Sequence, residues 1–291
     1  MRKSSSAFFA AILATESLAP NISHASGALP RAWASAQFGA DSASCGALTS
    51  PCKTFQYMHD AIVAVGGAIL VRDPGAYGPV VIKNALSIVN ANVGDASVSV
   101  SSGDAIAVQA PTTASILIKG LVIDGGGTAT NGVNATGFGN IAIQDCTVIG
   151  FKGNGLAIVP QAGPGLFAVA DTLVRDNGTG VLVQGNIANA QNMNYVQPTG
   201  TLTRVKANAN GVGVLATSLA YVEIDQVDAT ANAATGLSVT NNGFIYLTKS
   251  TAVGNPTGVK VSGGFASTYG DNSFIRNGVN ISGSLTAIAH N

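Results

Sequence analysis

Asp145, Asp171 and Arg204 are the side chains whose types and spacing could do charge chemistry together. Two carboxylates held side by side resist ionising together, so one is raised into the range of a general acid. A guanidinium beside them would stabilise a developing anion. That is a set suited to acid-assisted bond cleavage. The same residues can instead form a solvated line of ion pairs, because each falls at the same place in a repeat, followed by Gln226, Lys249 and Asp271. Glu223, Asp225 and Asp228 make a second acidic group on one repeat. It is a candidate calcium site, although calcium takes roughly six to eight oxygens. No other cofactor is implied.

Sulfur chemistry is limited. Cys45 and Cys52 bracket the short loop Gly46-Ala-Leu-Thr-Ser-Pro51 and are expected to form a disulfide in an exported protein. No histidine stands at a metal-ligand spacing from them. Cys146 shares a repeat position with Thr172, Val205, Val227 and Ser250, so it reads as a small buried side chain, not a nucleophile.

A binding surface is suggested by an insertion. Between Val183 and Leu202 the chain runs much further than between the corresponding Ala216 and Ile224. The extra segment, residues 185–197, carries Asn192, Asn194 and Tyr195, and a smaller excess at the preceding turn, Pro160–Pro164, carries Gln161. Long loops on a rigid scaffold are where repeat proteins carry function. Amides with a tyrosine suit a hydroxyl-rich ligand, a polysaccharide or cell-surface glycan.

The elements that would position these groups repeat. A glycine opens an alternating apolar phrase at Gly155, Gly180, Gly213, Gly236, Gly258 and Gly278. A second phrase returns in phase, at Ile116, Ile141, Phe167, Val222 and Ile245. Period-two alternation marks half-buried strands, and a regular return of about 22 residues marks a solenoid. Leucine-rich repeat spacing is absent. The expected fold is all-β, a right-handed parallel β-helix of about nine coils, its hand set by the crossover rule. Aligning Asn177, Asn210, Asn232, Asn255 and Asn277 at one turn puts Val169, Leu202, Ile224, Leu247 and Tyr269 in one inward column. Val174, Ala207, Ala229, Ala252 and Phe274 fall in another. The asparagines suit a turn because they tolerate a left-handed backbone and can bond along the stack, and the following glycine suits it for the same conformational reason.

One helix is expected, Thr54 to Val65, with Thr54 as N-cap, a stripe of Phe55, Met58, Ile62 and Val65, and a stop at Gly66-Gly67. This amphipathic helix would cover the open end of the first coil, with His59 facing solvent. The organisation is thus a signal peptide over 1–25, an extension with the disulfide loop over 26–52, the capping helix over 53–67 and the β-helix over 68–291. Arg2 and Lys3 before the apolar run Ala7–Ala14, then Ser23-His24-Ala25, indicate export, so the protein is expected to be secreted or periplasmic. No stretch is long and apolar enough for a membrane span. With net charge zero and no basic stripe, nucleic acid is not an expected partner.

The segment Ser50-Pro-Cys-Lys-Thr-Phe55, the helix, Ile69-Leu-Val-Arg-Asp-Pro-Gly-Ala-Tyr-Gly-Pro-Val80 and the Asn-Gly repeats resemble bacterial exported β-helix proteins of pectin-lyase-like fold. Asp73-Pro-Gly-Ala-Tyr-Gly reads as a tight turn. The resemblance implies the fold. Its enzymes act on acidic polysaccharides, but the Gly-His-Gly and Arg-Ile-Lys segments of polygalacturonases are missing here. So are the Trp-Ile-Asp-His segment of pectate lyases and the Asp-Pro-His-Asp segment of alginate epimerases. Gln144-Asp145 is a faint echo of pectin methylesterases, without their second aspartate and arginine. The functional expectation is an exported, non-catalytic β-helix that binds a polysaccharide or surface partner along a groove beside residues 185–197. The alternatives are a polysaccharide lyase or glycoside hydrolase with an atypical acidic site, and a structural surface protein.

Overall fold

A computed structural model describes residues 27–163, 165–189 and 194–289. The export signal expected over 1–25 lies outside the described residues. Three sheets run along the molecule, one of eleven strands and two of nine, and neighbours within each sheet are one coil apart in sequence. One coil runs Leu166–Ala170, Leu173–Arg175 and Thr179–Gln184, then returns to the first sheet at Thr199–Thr203. Pairing is parallel and in register, with Val169 on Leu202, Ile224 and Leu247 in turn. All four are buried. The fold is the expected parallel β-helix. Each alternate side chain points into one continuous core, where every buried Leu, Ile or Val contributes on the order of 1.5–3 kcal/mol.

The corners are built from two devices. The first is an asparagine ladder: the backbone N–H of Asn177 donates to Asn210 Oδ1 (3.0 Å), Asn210 to Asn232 (2.9 Å), Asn232 to Asn255 (2.8 Å) and Asn255 to Asn277 (2.9 Å). The left-handed backbone expected at these asparagines belongs to the residue before each: Asp176, Ala209, Ala231, Gly254 and Arg276. The asparagine's work is hydrogen bonding. The glycines of the repeat phrase are also explained differently. Gly180, Gly213 and Gly236 do not have positive φ. A Cβ there would meet the amide nitrogen of Asn210, Asn232 or Asn255 at 2.8–2.9 Å, so the ladder needs the space. The second device is a left-handed residue between the first and second sheets, at Gly120, Asp145, Asp171, Arg204, Gln226, Lys249 and Gly270.

The last coil departs from the sequence alignment. Thr268, not Tyr269, pairs with Leu247, while Ser273 pairs with Thr251. That turn holds one extra residue, so Gly270 takes the left-handed position expected for Asp271. Val259 pairs with Ile281, which puts Asn280, not Gly278, opposite Gly258. Asn280 Oδ1 accepts from the Asn277 N–H (3.2 Å) and ends the ladder from within.

The first end is closed by the helix and by a strand. The helix spans Phe55–Ile62, its last turns in π form, with Thr54 Oγ1 accepting from the Tyr57 N–H as N-cap. It stops short of the expected Val65. Val63–Val71 is a strand instead, because Leu29–Ala34 provides a parallel partner that aligns Trp33 with Leu70. Phe55, Met58 and Ile62 are buried as the stripe requires, but Val65 is 58% exposed. His59 is buried, not solvent-facing; its Nε2 accepts from the Lys83 N–H (2.9 Å) and its Nδ1 donates to Asp60 (2.7 Å). Cys45 and Cys52 form the disulfide. Within the turn after Arg72, Gly75–Ala76 pairs as a short strand, and Tyr77 stacks flat on Phe55 at 4.7 Å. The Tyr77 hydroxyl donates to Asp73, which also accepts from Ser35 Oγ and the Ala36 N–H.

Candidate functional site

The outward face of the eleven-stranded sheet gathers most of the candidate residues. Its alternation is strict: in Leu166–Ala170 the side chains of Leu166, Ala168 and Ala170 point out, while Phe167 and Val169 point in. Cross-strand register then defines outward columns. The central one runs Leu117, Ala142, Ala168, Thr201, Glu223, Tyr246 and Ser267. The column at the strand starts runs Ser115, Asn140, Leu166, Thr199, Tyr221, Phe244 and Phe265. Small residues across Ala142, Ala168, Ala170, Thr201 and Thr203 leave a trough along the solenoid axis. Over its first part a shallow pocket of about 340 Å3 lies on Asn140, Ala142, Leu166 and Ala168.

At the strand starts stands the inserted segment. Asn186–Asn189 and Asn194–Val196 form an antiparallel hairpin with Ile187 opposite Tyr195. Tyr195 is 49% exposed. Asn194 falls in the returning strand, and Asn192 lies outside the described residues. Asn186 Nδ2 donates to Gln161 Oε1 (3.1 Å), which ties the hairpin to the preceding protrusion. Not all of 185–197 leaves the coil. Val196 is buried, and a side chain at Gly185 would strike the Ser218 carbonyl.

At the strand ends, across roughly 15 Å of five-residue strand, stand the charged groups. Arg204 closes two bonds on Asp171, Nε to Oδ1 at 2.6 Å and Nη2 to Oδ2 at 2.7 Å. Lys119 Nζ lies 3.3 Å from Asp145 Oδ2. The arginine hydrogen bonds hold the Asp171 carboxyl below the usual carboxylate range, the reverse of what a general acid requires. Beside this pair Asp171, Thr172, Leu173, Arg204 and Lys206 line a pocket of about 390 Å3. Gln161 and Tyr195 thus lie on the strand-start side of the sheet, while Asp145, Asp171 and Arg204 lie at the strand ends.

Glu223 and Asp225 point outward from the strand Tyr221–Asp225, and Asp228 lies beyond the turn, accepting from the Thr230 and Thr251 hydroxyls. Among the described residues no group of three or more His, Cys, Asp or Glu side chains is arranged to hold a metal. Cys146 is buried, which pushes its thiol up to about 11.

Sequence reasoning missed an aromatic step at the far end of the trough. Tyr221 and Tyr246 lie 5.0 Å apart, and Phe244 stacks on Phe265 at 4.8 Å. A hydrogen bond with Tyr246, and burial, push the Tyr221 hydroxyl up to about 12. Tyr221, Glu223, Tyr246, Thr248 and Tyr269 line a pocket of about 200 Å3. The signal was present in the outward positions of Tyr221-Val-Glu-Ile and Phe244-Ile-Tyr-Leu, had they been stacked as the inward ones were.

No family model matches the chain, and no curated protein matches it in sequence. Among solved structures, the crystal structure of pectate lyase Pel9A superposes with a TM-score of 0.53, covering 90% of this chain and 78% of that one at 14% identity. The protein has the pectin-lyase-like β-helix fold. At that identity the likeness is one of architecture. Among the described residues of the β-helix no helix is long and apolar enough to cross a membrane.

Proposed function

We propose that the protein is an exported β-helix that binds a polysaccharide along the outward trough of its eleven-stranded sheet without cleaving it. The observation that carries this reading is the trough itself: a floor of alanine and threonine, with a hairpin wall tied to Gln161 on one side and paired charges on the other. A flat, groove-like surface with polar rims suits an extended chain of hydroxyls. The non-catalytic part rests on the ion pairs. Asp171 is committed to Arg204, which holds it below the usual carboxylate range, so it is not poised as a proton donor; Asp145 lies beside Lys119. Export is supported by the Cys45–Cys52 disulfide, since such bonds persist in oxidising compartments.

The test replaces residues 187–194 with a short Gly-Ser link, retaining Gly185 and Val196 because both belong to the coil. Folding should survive, because loop shortening changes closure entropy little. Affinity electrophoresis through soluble polysaccharides should show retardation of the parent chain and its loss in the variant. Tyr195→Ala alone should weaken binding by roughly 1–3 kcal/mol. Ultraviolet absorbance from unsaturated sugar products would instead establish a lyase.

A further inference from the structure

We propose that the trough takes an uncharged glycan, not a uronate chain, and that the pocket of Tyr221, Glu223, Tyr246, Thr248 and Tyr269 holds one of its sugar units. This rests on the polysaccharide-binding reading above and specifies its ligand class.

Of the cations at the strand ends, Arg204 and Lys119 are engaged with carboxylates, and Lys206 and Lys249 stand at the corner, off the floor. Arg204 spends both of its facing donors on Asp171, and Lys119 faces Asp145. What remains on the floor is acidic. Glu223 stands in the central outward column and Asp225 one step along the same strand, and no ion pair holds Glu223 among the described residues. A uronate laid along this floor would bring its carboxylate against another one in a partly desolvated groove, which is how a site rejects a ligand. A neutral sugar meets no such penalty. Its hydroxyls can donate to the Glu223 carboxylate, a charge-assisted bond stronger than a neutral one.

The aromatic step supplies the rest. The C–H face of a pyranose is apolar and packs on an aromatic ring, while its hydroxyls remain at the edge. Here the rings of Tyr221 and Tyr246 stand one strand apart, tilted by 37°, and Tyr269 closes the far side at 36% exposure. The pocket of about 200 Å3 is the size of a single sugar unit, and half-polar lining from Glu223, Thr248 and the tyrosyl hydroxyls matches a ring with one apolar face. The pocket lies at the end of the trough, on the next three coils beyond Thr201, so a chain along the floor runs directly into it.

The experiment measures binding of the full chain by affinity electrophoresis and calorimetry to two sets of probes: neutral β-glucan, mannan and xylan, and the uronates polygalacturonate and alginate, each with and without calcium. The variants are Tyr246→Ala and Glu223→Gln, both on the outward face, with circular dichroism as the folding control. The expected result is binding to a neutral probe only. Tyr246→Ala should weaken it by roughly tenfold or more. Glu223→Gln keeps the side chain's shape; it should weaken neutral binding and let uronate probes begin to bind. Tighter binding of a uronate than of any neutral probe, in the presence or absence of calcium, overturns the ligand class while leaving the trough reading intact. Neutral binding unchanged in both variants overturns the pocket. Absence of binding to every probe overturns this inference and the polysaccharide reading together.

Discussion

The guanidinium of Arg204 lies edge to edge with the carboxylate of Asp171, although the two residues are 33 positions apart in sequence. Both occupy the left-handed corner position of successive coils, so the stack itself brings them one strand spacing apart. The pair is exposed at the rim of the trough, and its effect is on protonation more than on folding.

Arg204→Gln should therefore leave the urea midpoint nearly unchanged while allowing the Asp171 carboxyl to rise back toward its ordinary value of 3.8. Carboxyl-detected NMR titration of parent and variant measures this. An Asp171 that titrates above its ordinary value in the parent protein would mark it as a proton donor and revive the catalytic alternative.

The asparagine ladder should be the most sensitive polar feature. Asn232→Ala leaves the buried Asn210 N–H without its acceptor and removes the bond from Asn232 to Asn255. The expected cost is about 1–3 kcal/mol for the unpaired group, read from urea unfolding. Gly213→Ala should be at least as damaging, since its Cβ would stand 2.4 Å from the Gly236 carbonyl. A neutral effect at either position would show that the ladder yields.

Thiol titration checks the cysteines. Under denaturing conditions without reductant, one thiol should react, that of Cys146. In the folded protein it should react far more slowly, because burial keeps it from solvent and disfavours the thiolate. Three reactive thiols on denaturation would refute the disulfide.

Acid stability should depend on Asp73. Burial pushes this carboxyl up, but bonds from Ser35, Tyr77 and the Ala36 and Gln37 N–H groups outweigh it and hold it below its ordinary value of 3.8. A depressed folded pKa contributes stability that is present above the unfolded value and lost as pH falls through the folded one. Stability should thus decline below about pH 4, and Asp73→Asn should flatten that limb while lowering stability at neutral pH. Thermal unfolding between about pH 2 and pH 7 gives the comparison.

Much of this architecture was legible in the chain. Alternation named the inward residues, the recurring asparagines marked one corner of each coil, and Cys45 and Cys52 were placed by their short loop. These are local or strictly periodic signals, and a stack of like coils turns period into contact. The helix boundary was not legible, because Val63–Val71 is held as a strand by partners distant in sequence, Leu29–Ala34 on one edge, which alone pairs with Val63, and Leu86–Val89 on the other. The burial of His59 depends likewise on the Lys83 N–H it accepts from. The last coil slipped because a single added residue between Thr268 and Ser273 displaces the positions before it, Tyr269 and Asp271, while Phe274 stays opposite Ala252. For the candidate site, sequence found the protruding segment and the charged corner but not that they stand at opposite ends of the same strands, nor that Tyr221, Tyr246 and Tyr269 converge beside Glu223. Periodicity determines which side chains point outward; only parallel register in three dimensions decides which outward side chains are neighbours.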